Sequence, residues 1–145
     1  RIPRTFGATF GAHDNRALSS FLRDCAMDRD IWLKSDGQQM YSFLYVGDCA
    51  RAIAFALAKL PTNNAYNVAS EAMSLQDFAL HVANLNPKVC LRIEKTEQIG
   101  ITKTQHSILD TIKIKNYGFF SKFSLQEGLE WTYRILKEKQ EKERE

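Results

Sequence analysis

Apolar positions recur along the chain with two periods, a short strand-like one and a longer helical one. Arg1 to Phe6 reads as a strand, and Gly7 to Arg16 as a polar loop with breakers at Gly11 and Asn15. Leu18, Phe21, Leu22 and Cys25 then fall on one face of a helix spanning Ala17 to Met27. Ile31 to Leu33 is a short strand, Ser35-Asp36-Gly37 a turn, and Tyr41 to Val46 another strand. An alanine-rich helix is expected from Cys49 to Leu60, with Asp48 as its N-cap, Ile53 and Leu57 on its inner stripe, and Pro61 beyond its end.

Ala65 to Val68 reads as a further strand. Ser74-Leu-Gln-Asp77 has the form of a capping box, opening a helix with an apolar face of Leu75, Phe78, Val82 and Leu85 that ends before Pro87. Leu91 to Ile93 is strand-like, and Gln98 to Gln105 is polar loop. A second box, Ser124-Leu-Gln-Glu127, opens a last helix with Leu125, Leu129, Thr132 and Leu136 on one side. Strands alternating with amphipathic helices predict the α/β class, with short strands and several helices. No repeat or linker divides the chain, so residues 1–145 read as one domain. Because the sequence opens partway into a strand at Arg1-Ile-Pro-Arg-Thr-Phe, that domain is expected to be a fragment of a longer protein.

Composition changes this picture little. The net charge of +3 gives no footing for a nucleic-acid partner. The closing run from Lys137 to Glu145 mixes both signs, as a solvated helix end does. No stretch is apolar enough for a membrane span, and no signal peptide is expected from the opening residues. Cys25, Cys49 and Cys90 are odd in number and fit no zinc or disulfide spacing. They read as reduced thiols of a cytoplasmic protein, with Cys25 and Cys49 in the core. His13, His81 and His106 are equally scattered, so no metal site is expected.

The residues that hydride chemistry would need are also wanting. Dinucleotide binding uses a glycine-rich turn that lets a pyrophosphate approach a helix N-terminus. The seven glycines here never fall into that spacing. Oxidation of a sugar hydroxyl commonly uses a tyrosine whose pKa is lowered by a lysine one helical turn on. The expectation is that none of the five tyrosines (41, 45, 66, 117, 133) pairs with a lysine in this way, and that the chain carries no catalytic residue of its own.

Three ordered segments resemble the C-terminal half of the extended short-chain dehydrogenase/reductase family, the NAD-dependent epimerases and dehydratases of nucleotide sugars. Arg1-Ile-Pro-Arg-Thr-Phe-Gly7 is similar to that family's Arg-x-x-Asn-x-Tyr/Phe-Gly. Asp14-Asn-Arg16, leading into Leu18-Ser-Ser-Phe21, looks most like the UDP-glucuronate decarboxylase branch. Ser35-Asp-Gly-Gln-Gln39 through Phe43-Leu-Tyr-Val-Gly-Asp48 resembles Gly-x-Gln-x-Arg-Asp-Phe-x-Tyr-Val-x-Asp. Weaker echoes continue in Ala65 to Val68, around Asp110 and Tyr117-Gly118, and in Ser124 to Leu129.

The resemblance implies a substrate-binding domain without its Rossmann half, taken from a dTDP-glucose 4,6-dehydratase-like or UDP-glucuronate decarboxylase-like enzyme of surface-polysaccharide synthesis. NAD is the implied cofactor, bound mainly by the other half, with Thr5 and Arg16 as its contacts here; the plain reading of Arg16 is a solvated loop residue. A nucleotide sugar is the implied substrate, and a homo-oligomer a possible assembly.

Departures from the pattern bear on substrate binding. Arg4 stands where the family has Asn, Tyr41 where it has Arg, and Ser42 where Asp is usual. Gln105 and His106 stand where the family has a late arginine. Arginine suits a diphosphate because its fork donates two parallel charge-assisted hydrogen bonds. Arg4, Lys34 and Lys103 are the cations able to replace the missing ones, with Lys103 favoured, then Arg4. Tyr41 either stacks on a base or packs. Asp48 matches a family position, but capping is its expected work. The alternative to an enzyme part is a non-catalytic ligand-binding or regulatory domain that keeps the fold.

Overall fold

The computed structural model describes residues 1–9, 14–94 and 106–143. Its elements run β1 (Arg4–Phe6), α1 (Ala17–Ala26), β2 (Ile31–Leu33), β3 (Met40–Tyr45), α2 (Val46–Lys59), β4 (Glu71–Ser74), α3 (Leu75–Ala83), β5 (Leu91–Ile93), α4 (Ile112–Lys115) and α5 (Leu125–Lys142). The α/β class is as expected. Strand β3 is central in a sheet of order β1-β3-β4, parallel to β1 with Arg4 opposite Phe43 and antiparallel to β4 with Met40 opposite Ser74. Strands β2 and β5 form a separate parallel pair, Ile31 opposite Leu91.

Both faces of β3 are covered, which explains its run of large apolar residues. Tyr41, Phe43 and Tyr45 point into the main core with Phe6, Phe78, Leu129 and the inner face of α1. Phe43 stacks on Phe78 at 4.6 Å between ring centroids, and Phe6 meets Phe78 edge-on at 5.5 Å. Leu44 points the other way, into a smaller cluster with Ala52, Val68, Ile114 and Phe119.

The caps of α3 and α5 follow the sequence closely. Ser124 and Glu127 make a complete capping box at α5. At α3 the Ser74 hydroxyl oxygen accepts from the Asp77 N–H at 3.0 Å, and its O–H donates to the Asp77 carboxylate at 2.7 Å.

Four expectations need correcting. Residues 65–68 are not a strand; the Val68 N–H donates to the Arg1 carbonyl, the Arg1 N-terminus donates to the Tyr66 carbonyl, and the sheet is completed by β4, which sequence missed. Glu-Ala-Met-Ser has little strand preference of its own and pairs because β3 offers an edge. Helix α4 was likewise not anticipated. Helix α2 begins at Val46 with Tyr45 as N-cap, so Asp48 lies inside its first turn. Its buried face is Asp48 and Ala52, whereas Ile53 and Leu57 stand in solvent at 52% and 86% exposure. Cys25 is buried as expected, but Cys49 is only half-buried, at the edge of the smaller cluster.

Candidate functional site

Parallel pairing of β1 with β3 carries Arg4 across to Tyr41, one strand residue pair away on the same face. The Arg4 guanidinium carbon sits 3.7 Å from the centroid of the Tyr41 ring. Tyr41 itself is buried, 7% exposed, and forms part of the main core. Among the described residues Arg4 meets no hydrogen-bond acceptor or carboxylate; the ring is its partner. Such an arrangement combines cation–π attraction with N–H edges left for another ligand.

The N-terminus of α1 forms the facing wall. Arg16 is its N-cap residue and gives the helix no side-chain cap. Instead its Nε and Nη2 donate to the two oxygens of Asp14 at 2.9 and 2.7 Å, a bidentate pair. The Ser19 hydroxyl donates to the same carboxylate at 2.7 Å. Hydrogen bonds from Arg16, then from Ser19, hold the Asp14 carboxyl well below the usual carboxylate range. Arg16 thus spends one edge of its fork on Asp14 and keeps Nη1 outward, its side chain 70% exposed.

Between these walls lies a cavity of about 650 Å³ whose lining includes Arg4, Thr5, Arg16, Tyr41, Ser42 and Ser107. Four of the five residues singled out from sequence therefore share one cavity; the fifth, Lys103, lies outside the described residues. Ser107 reaches the cavity because residues 106–109 run beside β3. Its N–H donates to the Met40 carbonyl at 2.8 Å, and its carbonyl accepts from the Ser42 N–H at 3.0 Å. Ser42 closes this attachment by accepting the Leu109 N–H on its hydroxyl at 2.9 Å. No sequence signal marks Ser107, whereas Asp14 stands in the Asp14-Asn-Arg16 motif, whose spacing does not reveal the Asp14–Arg16 pair.

Tyr41 also borders a second cavity, of about 460 Å³, lined by Trp32, Lys34 and Gln39 among others. The two cavities meet at Ala17 and Tyr41.

Asp48 has a different task from the one expected. Fully buried, its carboxylate accepts the Lys122 N–H at 3.0 and 3.1 Å and the Phe123 N–H at 3.1 Å, and it pairs with Arg51. It caps the backbone entering α5 rather than its own helix.

The tyrosine expectation also needs correcting. Tyr133 and Lys137 do stand four residues apart, on α5. Lys137 donates to the Asp28 carboxylate at 2.8 Å and to the Ala26 carbonyl at 3.1 Å, tying α5 to the end of α1. The Asp28 hydrogen bond raises the Lys137 pKa, and the lysine's charge is matched by that carboxylate rather than directed at Tyr133. Among the described residues no glycine-rich turn accompanies the pair, and it lies on a different surface from the cavity.

The described fold is similar to part of solved nucleotide-sugar epimerases and dehydratases. Residues 1–69 match the NAD dependent epimerase/dehydratase family. The chain superimposes on the UDP-glucose 4-epimerase of Thermotoga maritima, solved with UDP-glucose, with a TM-score of 0.79 at 19% identity, covering 97% of this chain and 45% of that one. A UDP-glucuronic acid 4-epimerase mutant from Bacillus cereus, in complex with NAD and a fluorinated UDP-glucuronic acid, matches with a TM-score of 0.75 at 22% identity, covering 95% and 44%. The dTDP-glucose 4,6-dehydratase of Bacillus anthracis, in complex with NAD, gives 0.73 at 16%, covering 97% and 44%. The chain therefore spans a little under half the length of these solved relatives. No curated protein matches it at a significant level. Among the described residues no helix is long and apolar enough to cross a membrane.

Proposed function

We propose that the chain is the substrate-binding part of an NAD-dependent nucleotide-sugar epimerase or dehydratase, with the Rossmann half, the catalytic tyrosine and the catalytic lysine supplied from outside these 145 residues. The observation that carries this reading is the 650 Å³ cavity where Arg4, Thr5, Arg16 and Tyr41 converge on the elements that residues 1–69 share with the family.

In this reading the nucleotide sugar enters between β1 and the start of α1. Arg4 meets its negative charge, and Lys103, which lies outside the described residues, is the second cation assigned to it. Thr5 faces the cofactor side. Its hydroxyl makes a long 3.4 Å bond to the Pro3 carbonyl and can still accept from a ligand, and Arg16 keeps one edge, so both fit NAD as outer contacts. Bound NAD supplies the hydride acceptor; the residues of this chain bind, orient and screen the sugar. The particular reaction (4,6-dehydration, decarboxylation or 4-epimerisation) is set by acids and bases of the other half. A cytoplasmic enzyme serving surface polysaccharide and acting as a homo-oligomer fits the reading.

The test is a calorimetric titration of the chain with UDP-glucose, UDP-glucuronic acid, dTDP-glucose and NAD. The expected outcome is saturable binding of at least one nucleotide sugar, no turnover, and no NAD binding in the low micromolar range. Tight NAD binding, or turnover by the chain alone, contradicts it.

A further inference from the structure

We infer that Arg4 is the anion-binding cation of the cavity and that Tyr41 is its positioning residue, the pair together making a site for a phosphate-bearing ligand. This rests on the reading above for the identity of the ligand, but its own grounds are geometric.

Of the two arginines in the cavity wall, Arg16 is half-spent on the Asp14 carboxylate, which cancels its charge. Arg4 is not spent at all: no acceptor meets it among the described residues. A free arginine on a surface would sample many rotamers, and fixing it on a ligand would cost side-chain entropy. Here the guanidinium already rests 3.7 Å from the Tyr41 centroid, and the ring is itself fixed by burial in the main core. Stacking occupies the face of the guanidinium and leaves its five N–H donors at the rim, the edge that binds phosphate oxygens in pairs. The hydroxyls of Thr5, Ser42 and Ser107 in the same lining offer neutral donors beside it.

Arg4 and Tyr41, the two departures from the resembled pattern, meet in space. Strand β3 carries an aromatic ring at position 41 in place of a cation, and the neighbouring strand β1 carries the cation at position 4. Because Arg4 pairs with Phe43, two residues beyond Tyr41, the guanidinium of one lies over the ring of the other. Tyr41 does not touch the ligand; it sets where Arg4 points.

Titrating the chain with inorganic pyrophosphate and, separately, with UDP-glucose tests this, with thermal melting run on every variant. Arg4→Gln is expected to weaken pyrophosphate binding about tenfold, the loss of a charge-assisted contact. Tyr41→Leu is expected to weaken it about threefold, the size of an exposed cation–π contact, and Tyr41→Phe to restore what Tyr41→Leu loses. Lys88→Gln removes the same charge outside the cavity and is the control. Unaltered pyrophosphate affinity in Arg4→Gln, a loss in Tyr41→Phe equal to that in Tyr41→Leu, or no saturable pyrophosphate binding by the unmodified chain overturns the inference. UDP-glucose separates the two claims. If it binds as well to Arg4→Gln as to the unmodified chain, the nucleotide-sugar reading stands and the Arg4 site falls. If Arg4 governs pyrophosphate but UDP-glucose binds no tighter than pyrophosphate, the site stands and the nucleotide-sugar reading falls.

Discussion

Asp14 shows how much a single carboxylate near the cavity is asked to do. It fixes Arg16, receives Ser19 and anchors the first turn of α1, and its carboxyl is held well below the usual range for these reasons. Asp28, bonded by Lys137 and Asn86, and Asp30, bonded by the Cys90 N–H and Arg92, are lowered likewise. Glu127 is lowered by the Ser124 N–H and hydroxyl of its capping box. A group whose folded pKa lies below its unfolded one contributes stability above the unfolded value, and loses it as pH falls through the folded value. With unfolded values of about 3.9 for Asp and 4.3 for Glu, the melting temperature should hold steady down to about pH 5 and fall below about pH 4. Asp14→Asn should lower the plateau and make the acid limb shallower. A melting temperature that rises between pH 5 and pH 3 contradicts this.

Individual elements were legible where their information is local. Helices α1, α3 and α5 carry apolar stripes and, for the last two, capping residues within a turn of their starts, and they fold as read. Helix α2 was misphased because alanines at 50, 52, 54, 56 and 58 mark no side, leaving Ile53 and Leu57 as the apparent inner stripe. The inner face is instead Ala52 with half-buried Cys49 and Phe55, facing Leu44, Ile114 and Phe119. Strand β4 and the Arg4–Tyr41 contact depend on partners some thirty residues or more away, and no spacing rule encodes them. The Tyr133–Lys137 spacing gave the converse lesson, since its lysine serves the joint between α5 and α1.

Gly128 of α5 illustrates an element-level constraint hidden in a residue. A Cβ there would come within 2.9 Å of the buried Tyr45 ring and 3.1 Å of Phe6. Alanine would gain about 1 kcal/mol in helix propensity, but displacing a ring root in a packed core costs about 1–3 kcal/mol. Gly128→Ala is therefore expected to be destabilising by up to about 2 kcal/mol in urea titration. A stabilised variant would show that α5 stands further from β3.

At the scale of the whole molecule, one surface stands out. Val46, Ile53 and Leu57 present an apolar stripe along α2, with no described element over it. A surface of this kind favours self-association of the chain. Ile53→Glu and Leu57→Glu should each change stability by less than about 0.5 kcal/mol, as exposed positions do, while lowering the sedimentation-average mass at high concentration. A loss of several kcal/mol would place these side chains in a core and invalidate the helix phase described above.

The chain matches a little under half of each solved relative, and the proposed function rests on ligand binding in the cavity between β1 and α1. Amide chemical-shift mapping during a titration with UDP-glucose tests that most directly. The account predicts saturable shifts concentrated at Arg4, Thr5, Arg16 to Ser19, Tyr41, Ser42 and Ser107, the lining of the 650 Å³ cavity. Absence of saturable shifts, or shifts gathered on α5 or on the outer face of α2, would contradict it.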